Sequence, residues 1–160
     1  MSKIIYENIM NDAIKVTSNK ILMEEPVISK MSDEKSPIKV ERFNVILGIV
    51  GDISGQIIFS FKEGSPNKIV SKMLGRQVEE ESELCISGIA EFSNILSGNA
   101  VTELFEETNG KIDITPPSIV MGKEVMLSTT IKDISVYNLD YSEIGEVTVY
   151  IAIKEIEKNK

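Results

Sequence analysis

The sequence predicts an α+β fold, a mostly antiparallel sheet packed with three helices. Three observations lead there. Segments with apolar residues at helical spacing and segments of β-rich composition follow one another in the order α-β-β-α-α-β-β. Gly51-Asp52 sits between two β-rich runs and supplies hairpin turn chemistry, so the strands it joins are antiparallel. Near the end of the chain, Val147, Val149, Ile151 and Ile153 alternate with Thr148, Tyr150 and Ala152, which is the period of a strand. No linker, internal repeat or low-complexity tract interrupts the chain, so residues 1–160 are expected to form a single domain.

The elements follow in order. Ile5, Ile9, Ala13 and Val16 recur at helical spacing, so residues 4 to about 24 read as an amphipathic helix that Pro26 stops. The polar stretch that follows, 26–37, reads as a loop. Residues 38–50 hold Val40, Phe43, Val45, Leu47 and Ile49 and read as a strand, and Ile53 to Phe61 as its hairpin partner. Ser65-Pro66 reads as a helix start, a capping hydroxyl followed by proline at the first helical position, and Gly75 as that helix's end. A longer helix runs from about Ser82 to Thr108, with Gly110 just past it. The segment DITPPSIVMGKEV reads as a loop with a short strand, and 124–137 and 145–156 as two further strands.

Composition narrows the function. Hydrophobic residues make up 42% and charged residues 26%, an ordinary globular mix. The net charge is −8 and no Lys/Arg cluster is present, which argues against nucleic acid as a partner. Without histidine there is no imidazole ligand or base. Cys85 is the sole cysteine, so neither an intrachain disulfide nor a thiolate metal cage can form. No apolar run approaches 18 residues and the N-terminal residues do not read as a signal peptide, so a cytoplasmic protein with no membrane span is expected.

The long helix carries the chemistry. At about 100° per residue, Cys85, Ile89, Phe92, Leu96 and Ala100 fall on one apolar face. Ser87, Glu91, Asn94 and Gly98 fall on the opposite face, within an arc of roughly 60°. Glu91 and Asn94 are three apart, so their side chains are neighbours. Two glycines, Gly88 and Gly98, interrupt the helix at a cost of about 1 kcal/mol each relative to alanine, which calls for a close approach by another chain segment. A bare Glu-x-x-Asn is weak, since Glu41/Asn44 and Glu106/Asn109 repeat it in a strand and at a helix end. The longer pattern is specific: Ser87-x3-Glu91-x2-Asn94, then Pro116 and Pro117 after 21 and 22 intervening residues.

That pattern resembles the signature of the CheC/CheX chemotaxis phosphatases. The stretches VILGIVGDISGQIIFSF, SGIAEFSNILSGNAVTELFE and KIDITPPSIVMGKEV each resemble CheX segments, in the same order. The first helix has Glu7 but Met10 three residues on, so the second motif copy of CheC proteins is absent and the chain looks like CheX. The resemblance runs from about residue 38 to the last strand and leaves out 26–37. It implies a phosphatase acting on the aspartyl phosphate of a CheY-like response regulator. Glu91 and Asn94 would then be the catalytic pair, and Ser87, Gly98, Pro116 and Pro117 would line the docking surface. It also implies a homodimer with no metal or cofactor of its own, the Mg²⁺ being carried by the response regulator.

A noncatalytic adaptor on the same fold is the alternative, and retention of both Glu91 and Asn94 argues against it. The chain is not itself a receiver, because the acidic pair and parallel sheet of a receiver are not visible. Of the remaining residues, Cys85 reads as core, Asp52 as a hairpin-turn residue and Asp113–Pro117 as a stiff turn beside the long helix. Tyr137, Tyr141 and Tyr150 suit core packing or an interface equally. Eight glutamates and no Lys or Arg lie between Arg76 and Lys111, and most are expected to point away from the docking face.

Overall fold

A computed structural model describes residues 2–156. Three helices, α1 (Lys3–Leu22), α2 (Ser65–Leu74) and α3 (Glu83–Thr108), cover one face of an antiparallel sheet. The strands are β1 (Val27–Lys35), β2 (Ile38–Lys39), β3 (Phe43–Gly51), β4 (Ile53–Phe61), β5 (Ile112–Ile114), β6 (Ser118–Met121), β7 (Met126–Leu127), β8 (Asp133–Asp140) and β9 (Glu146–Glu155). The sheet order is β1-β8-β9-β4-β3-β5, with β6 also on β3, while β2 and β7 pair separately. The α+β architecture is the one the sequence implies.

Alternation explains which way the sheet faces. Phe43, Val45, Leu47 and Ile49 of β3 point toward the helices and join Ile57, Phe59, Val147, Val149 and Ile151 in the main core. Helix α3 supplies Cys85, Ile89, Phe92, Leu96 and Ala100 to it, all fully buried, which is the apolar face read from the sequence. Phe92 meets Tyr141 edge-on at 6.2 Å, and the Tyr141 hydroxyl shares a 2.7 Å hydrogen bond with Ser18 of α1. Truncating such a buried aromatic costs about 3–5 kcal/mol. On the other face Ile58, Val136 and Ala152 form a smaller core with Ile38 and Val40, beside Leu127 of β7.

Several local expectations are corrected. The segment 26–37 is not a loop: β1 pairs with β8 over its length, with a bulge between Lys30 and Ser32. Its side chains are mostly exposed, so it has no apolar alternation to read. Its backbone pairing and ion pairs hold it instead, Lys30 with Asp33 at 2.9 Å and Lys35 with Asp133. Ser65 does not cap α2; Gly64 is the cap residue, and the buried Ser65 hydroxyl bridges the backbone C=O and N–H of Glu146, each at 3.1 Å. Helix α1 ends at Leu22 through left-handed Met23, and it buries Tyr6, Met10, Ala13 and Ile14 rather than the face running from Ile5 to Val16, both of which are exposed. The stretch 124–137 divides into β7 and the start of β8, which runs on to Asp140. Asp113 lies in β5 rather than in a turn. Tyr137 and Tyr141 are buried, so core packing holds for both, and Tyr150 is half-buried beside the smaller core.

Candidate functional site

The site is the solvent side of α3. The Ser82 hydroxyl caps the helix, accepting from the Cys85 N–H at 3.1 Å, and left-handed Asn109 ends it. With its apolar face in the core, the opposite stripe faces outward. Ser87 and Glu91 are exposed, and Asn94 and Gly98 are half-buried. These four residues therefore come together on one surface. Among the described residues neither Glu91 nor Asn94 has an ion-pair or hydrogen-bond partner, so the carboxylate and the amide are both available to a partner molecule. The Ser87 hydroxyl turns back toward the Leu84 carbonyl at 3.4 Å.

Two neighbours frame the stripe. On one side, α2 packs so closely at Gly88 that a Cβ there would sit 2.6 Å from Val70 Cγ1. On that same side Asn99 donates to the Thr17 hydroxyl of α1 at 3.2 Å. On the other side lies β5, whose Ile114 Cδ1 is 3.9 Å from where a Gly98 Cβ would be. Gly88 is thus required by internal packing. Gly98 is not, and the room above it faces solvent.

Pro116 and Pro117 lie in the connection between β5 and β6, both of which pair with β3. Thr115, passed over in the sequence, anchors this connection. Its hydroxyl accepts from the Gly48 N–H at 2.8 Å and its N–H donates to the Gly48 carbonyl at 2.9 Å. The two prolines reach α3 indirectly, through Ile114 packed beside Gly98. A threonine next to a proline pair, facing a strand glycine, is the signal that would have located it. Asp52 serves the hairpin as expected and also accepts from the Lys111 N–H at 2.7 Å, tying the end of α3 to the β3–β4 turn.

The acidic residues around the stripe are largely directed elsewhere. Glu103 and Glu107 line the groove between α3 and α1, with Asp12 and Lys20. Glu81 pairs with Arg42 at 2.8 Å. Cys85 is buried and burial pushes its thiol up, so it is a core residue and not a nucleophile. Glu7 of α1 is also buried. Tyr137 donates to it at 2.6 Å and Ser135 at 2.9 Å, so its two oxygens are committed inside the fold. Burial, then the bond to Glu7, pushes the Tyr137 phenol well above its usual value. Among the described residues no group of three or more potential metal ligands comes together, and no helix is long and apolar enough to cross a membrane.

Residues 43–139 match the family model described as Chemotaxis phosphatase CheX. The chain is 32% identical over 124 residues to the CheY-P phosphatase CheX of Thermotoga maritima, covering 76% of this chain and 79% of that protein. Among solved structures, a putative chemotaxis protein from Desulfovibrio vulgaris Hildenborough superimposes with a TM-score of 0.78 at 20% identity, over 93% of this chain and 96% of that one. A chain of the CheX-CheY-BeF3-Mg complex from Borrelia burgdorferi superimposes with a TM-score of 0.74 at 24% identity, over 94% and 98%. The matched segment contains the whole of α3 and the β5–β6 connection, and the chain belongs to the CheX family of chemotaxis phosphatases.

Proposed function

We propose that this protein is a cytoplasmic phosphatase that hydrolyses the aspartyl phosphate of a CheY-like response regulator, with Glu91 and Asn94 as its catalytic pair. The observation that carries the reading is the freedom of that pair: adjacent on an outward helix face, beside an open glycine, and unused by the fold. The activity named for the Thermotoga relative and the CheX-CheY complex from Borrelia support the same partner class.

The chemistry needs positioning more than covalent machinery, because phosphoryl transfer passes through a loose transition state. The receiver supplies the acyl phosphate, a lysine and the Mg²⁺ that offsets charge on the phosphoryl oxygens. The Asn94 carboxamide holds a water in line: water oxygen bonds to phosphorus as the bond to the aspartate oxygen breaks, giving inorganic phosphate and a free carboxylate. A neutral amide both donates and accepts, so it orients water without repelling the phosphoryl dianion. Glu91 pairs with the receiver lysine and fixes the helix in register. Ser87, Gly98, Pro116 and Pro117 border the surface and let the receiver approach closely.

Replacing Asn94 by alanine is expected to lower turnover of a phosphorylated receiver by roughly 10²-fold, the scale of losing one positioned polar group. Binding of a beryllofluoride-loaded receiver should change little. Wild-type turnover by a natively folded Asn94→Ala protein would exclude this mechanism and favour a noncatalytic adaptor. A homodimer belongs to the same proposal. Of the two sheet edges, the one at β5–β6 is broken at Pro116 and Pro117, which lack an N–H, whereas β1 offers nine residues. Light scattering should therefore give twice 17.8 kDa, and a monomer would refute it.

A further inference from the structure

We infer that Leu84 and Phe105, exposed at opposite ends of the Glu91–Asn94 face of α3, set the affinity and selectivity for the receiver. This rests on the reading of that face as the docking surface. At about 100° per residue, Leu84 lies within roughly 20° of Glu91 and Phe105 within roughly 40°. Both belong to the stripe that contains Asn94 and Gly98. Leu84 is 37% exposed and Phe105 48%, whereas the other large apolar residues of the helix are buried or half-buried. About 31 Å separates them along the axis, with the catalytic pair between. That span suits an interface of ordinary size.

Charge explains why apolar residues hold these ends. Between Arg76 and Lys111 the chain has no Lys or Arg, so α3 itself offers no cation to a phosphorylated partner. Glu91 adds a negative charge near a phosphoryl dianion and is compensated only by the partner's lysine. Attraction along α3 therefore comes from apolar burial, at about 25 cal/mol per Å² of apolar surface removed from water. The occupant is a CheY-like receiver, and the inference requires that receiver to present apolar surface on both sides of its phosphoaspartate. Val16 and Met23, exposed apolar residues of the α1 segment, lie off this face and serve as controls.

The test is titration with a CheY-like receiver loaded with beryllofluoride and Mg²⁺, alongside steady-state dephosphorylation. Phe105→Ala and Leu84→Ala should each raise Kd and KM about tenfold or more while kcat at saturation stays within about twofold of wild type. Val16→Ala should match wild type. Unchanged Kd in both stripe variants overturns the inference, as does a light-scattering mass that falls while receiver affinity holds, which would assign the face to a second copy of the chain. The two readings fail separately. A wild-type protein that neither binds nor dephosphorylates the receiver refutes the proposed function and this inference with it. If the wild type turns over, Asn94→Ala does not and Phe105→Ala binds normally, only this inference falls.

Discussion

Two glutamates on neighbouring helices of one layer meet opposite fates. Glu7 of α1 is buried against β8, and its carboxylate accepts from the hydroxyls of Tyr137 and Ser135, with Lys3 at 3.8 Å. Glu91 of α3 faces solvent with no partner among the described residues. The contrast teaches that a residue type on an amphipathic helix does not define a site. What matters is whether its hydrogen-bonding capacity is already spent. Glu7 joins α1 to the sheet, whereas Glu91 has no hydrogen-bond or ion-pair partner among the described residues.

The largest effect expected from this contrast is on Glu7. Glu7→Ala leaves two buried hydroxyls without their acceptor, which costs about 3 kcal/mol at the level of one to a few kcal/mol per orphaned group. For a chain of this size that lowers Tm by roughly 6–12 °C. Turnover measured well below the transition should remain near wild type, and thermal denaturation with no shift in Tm would remove the structural role. Glu91→Ala should do the reverse. Its stability should stay within about 0.5 kcal/mol of wild type, as for surface substitutions without partners. Receiver affinity should fall roughly tenfold and turnover with it, because a charge pair across the interface is lost and Asn94 is misplaced. A Glu91→Ala protein that binds as tightly as wild type would break the comparison.

The smallest effects are expected at the two glycines of α3, which repeat the contrast at backbone level. Gly88→Ala places a methyl against Val70, and overpacking of about 1–3 kcal/mol outweighs the roughly 1 kcal/mol gained in helix propensity. Combining it with Val70→Ala should restore the close contact's space and recover part of the loss. Gly98→Ala meets nothing closer than 3.9 Å, so it should stabilise the isolated protein by about 1 kcal/mol while weakening receiver binding. Denaturant unfolding of both variants checks the signs. Equal destabilisation at both positions would show that Gly98 also answers to internal packing.

Much of this was legible along the chain because it is written within single elements. The buried face of α3 from Cys85 to Ala100 follows from residues three and four apart, and the β3–β4 hairpin from two alternating runs around Gly51-Asp52. The same wheel that buries Phe92 and Leu96 must turn Glu91 and Asn94 outward, so the candidate pair was recoverable before any tertiary contact was known. The edge strand β1 was not, because VISKMSDEK buries almost nothing and is held by backbone bonds to β8.

Local spacing was enough for the buried face of α3, the turn at Gly51-Asp52, the glycine end of α2 and the outward placement of the pair, since each depends on neighbours within a few residues, but not for α1, where Ile5 and Val16 are exposed and Tyr6, Met10 and Ile14 fill the core. Only the tertiary structure decided that Ser65 bonds Glu146 rather than capping its own helix, that Glu7 is consumed by Tyr137, and that Val70 requires Gly88 while Gly98 stays open. Serine, glutamate and glycine each satisfy several local roles at similar free energy. The selection among those roles comes from packing partners far away in the chain, which no local pattern specifies.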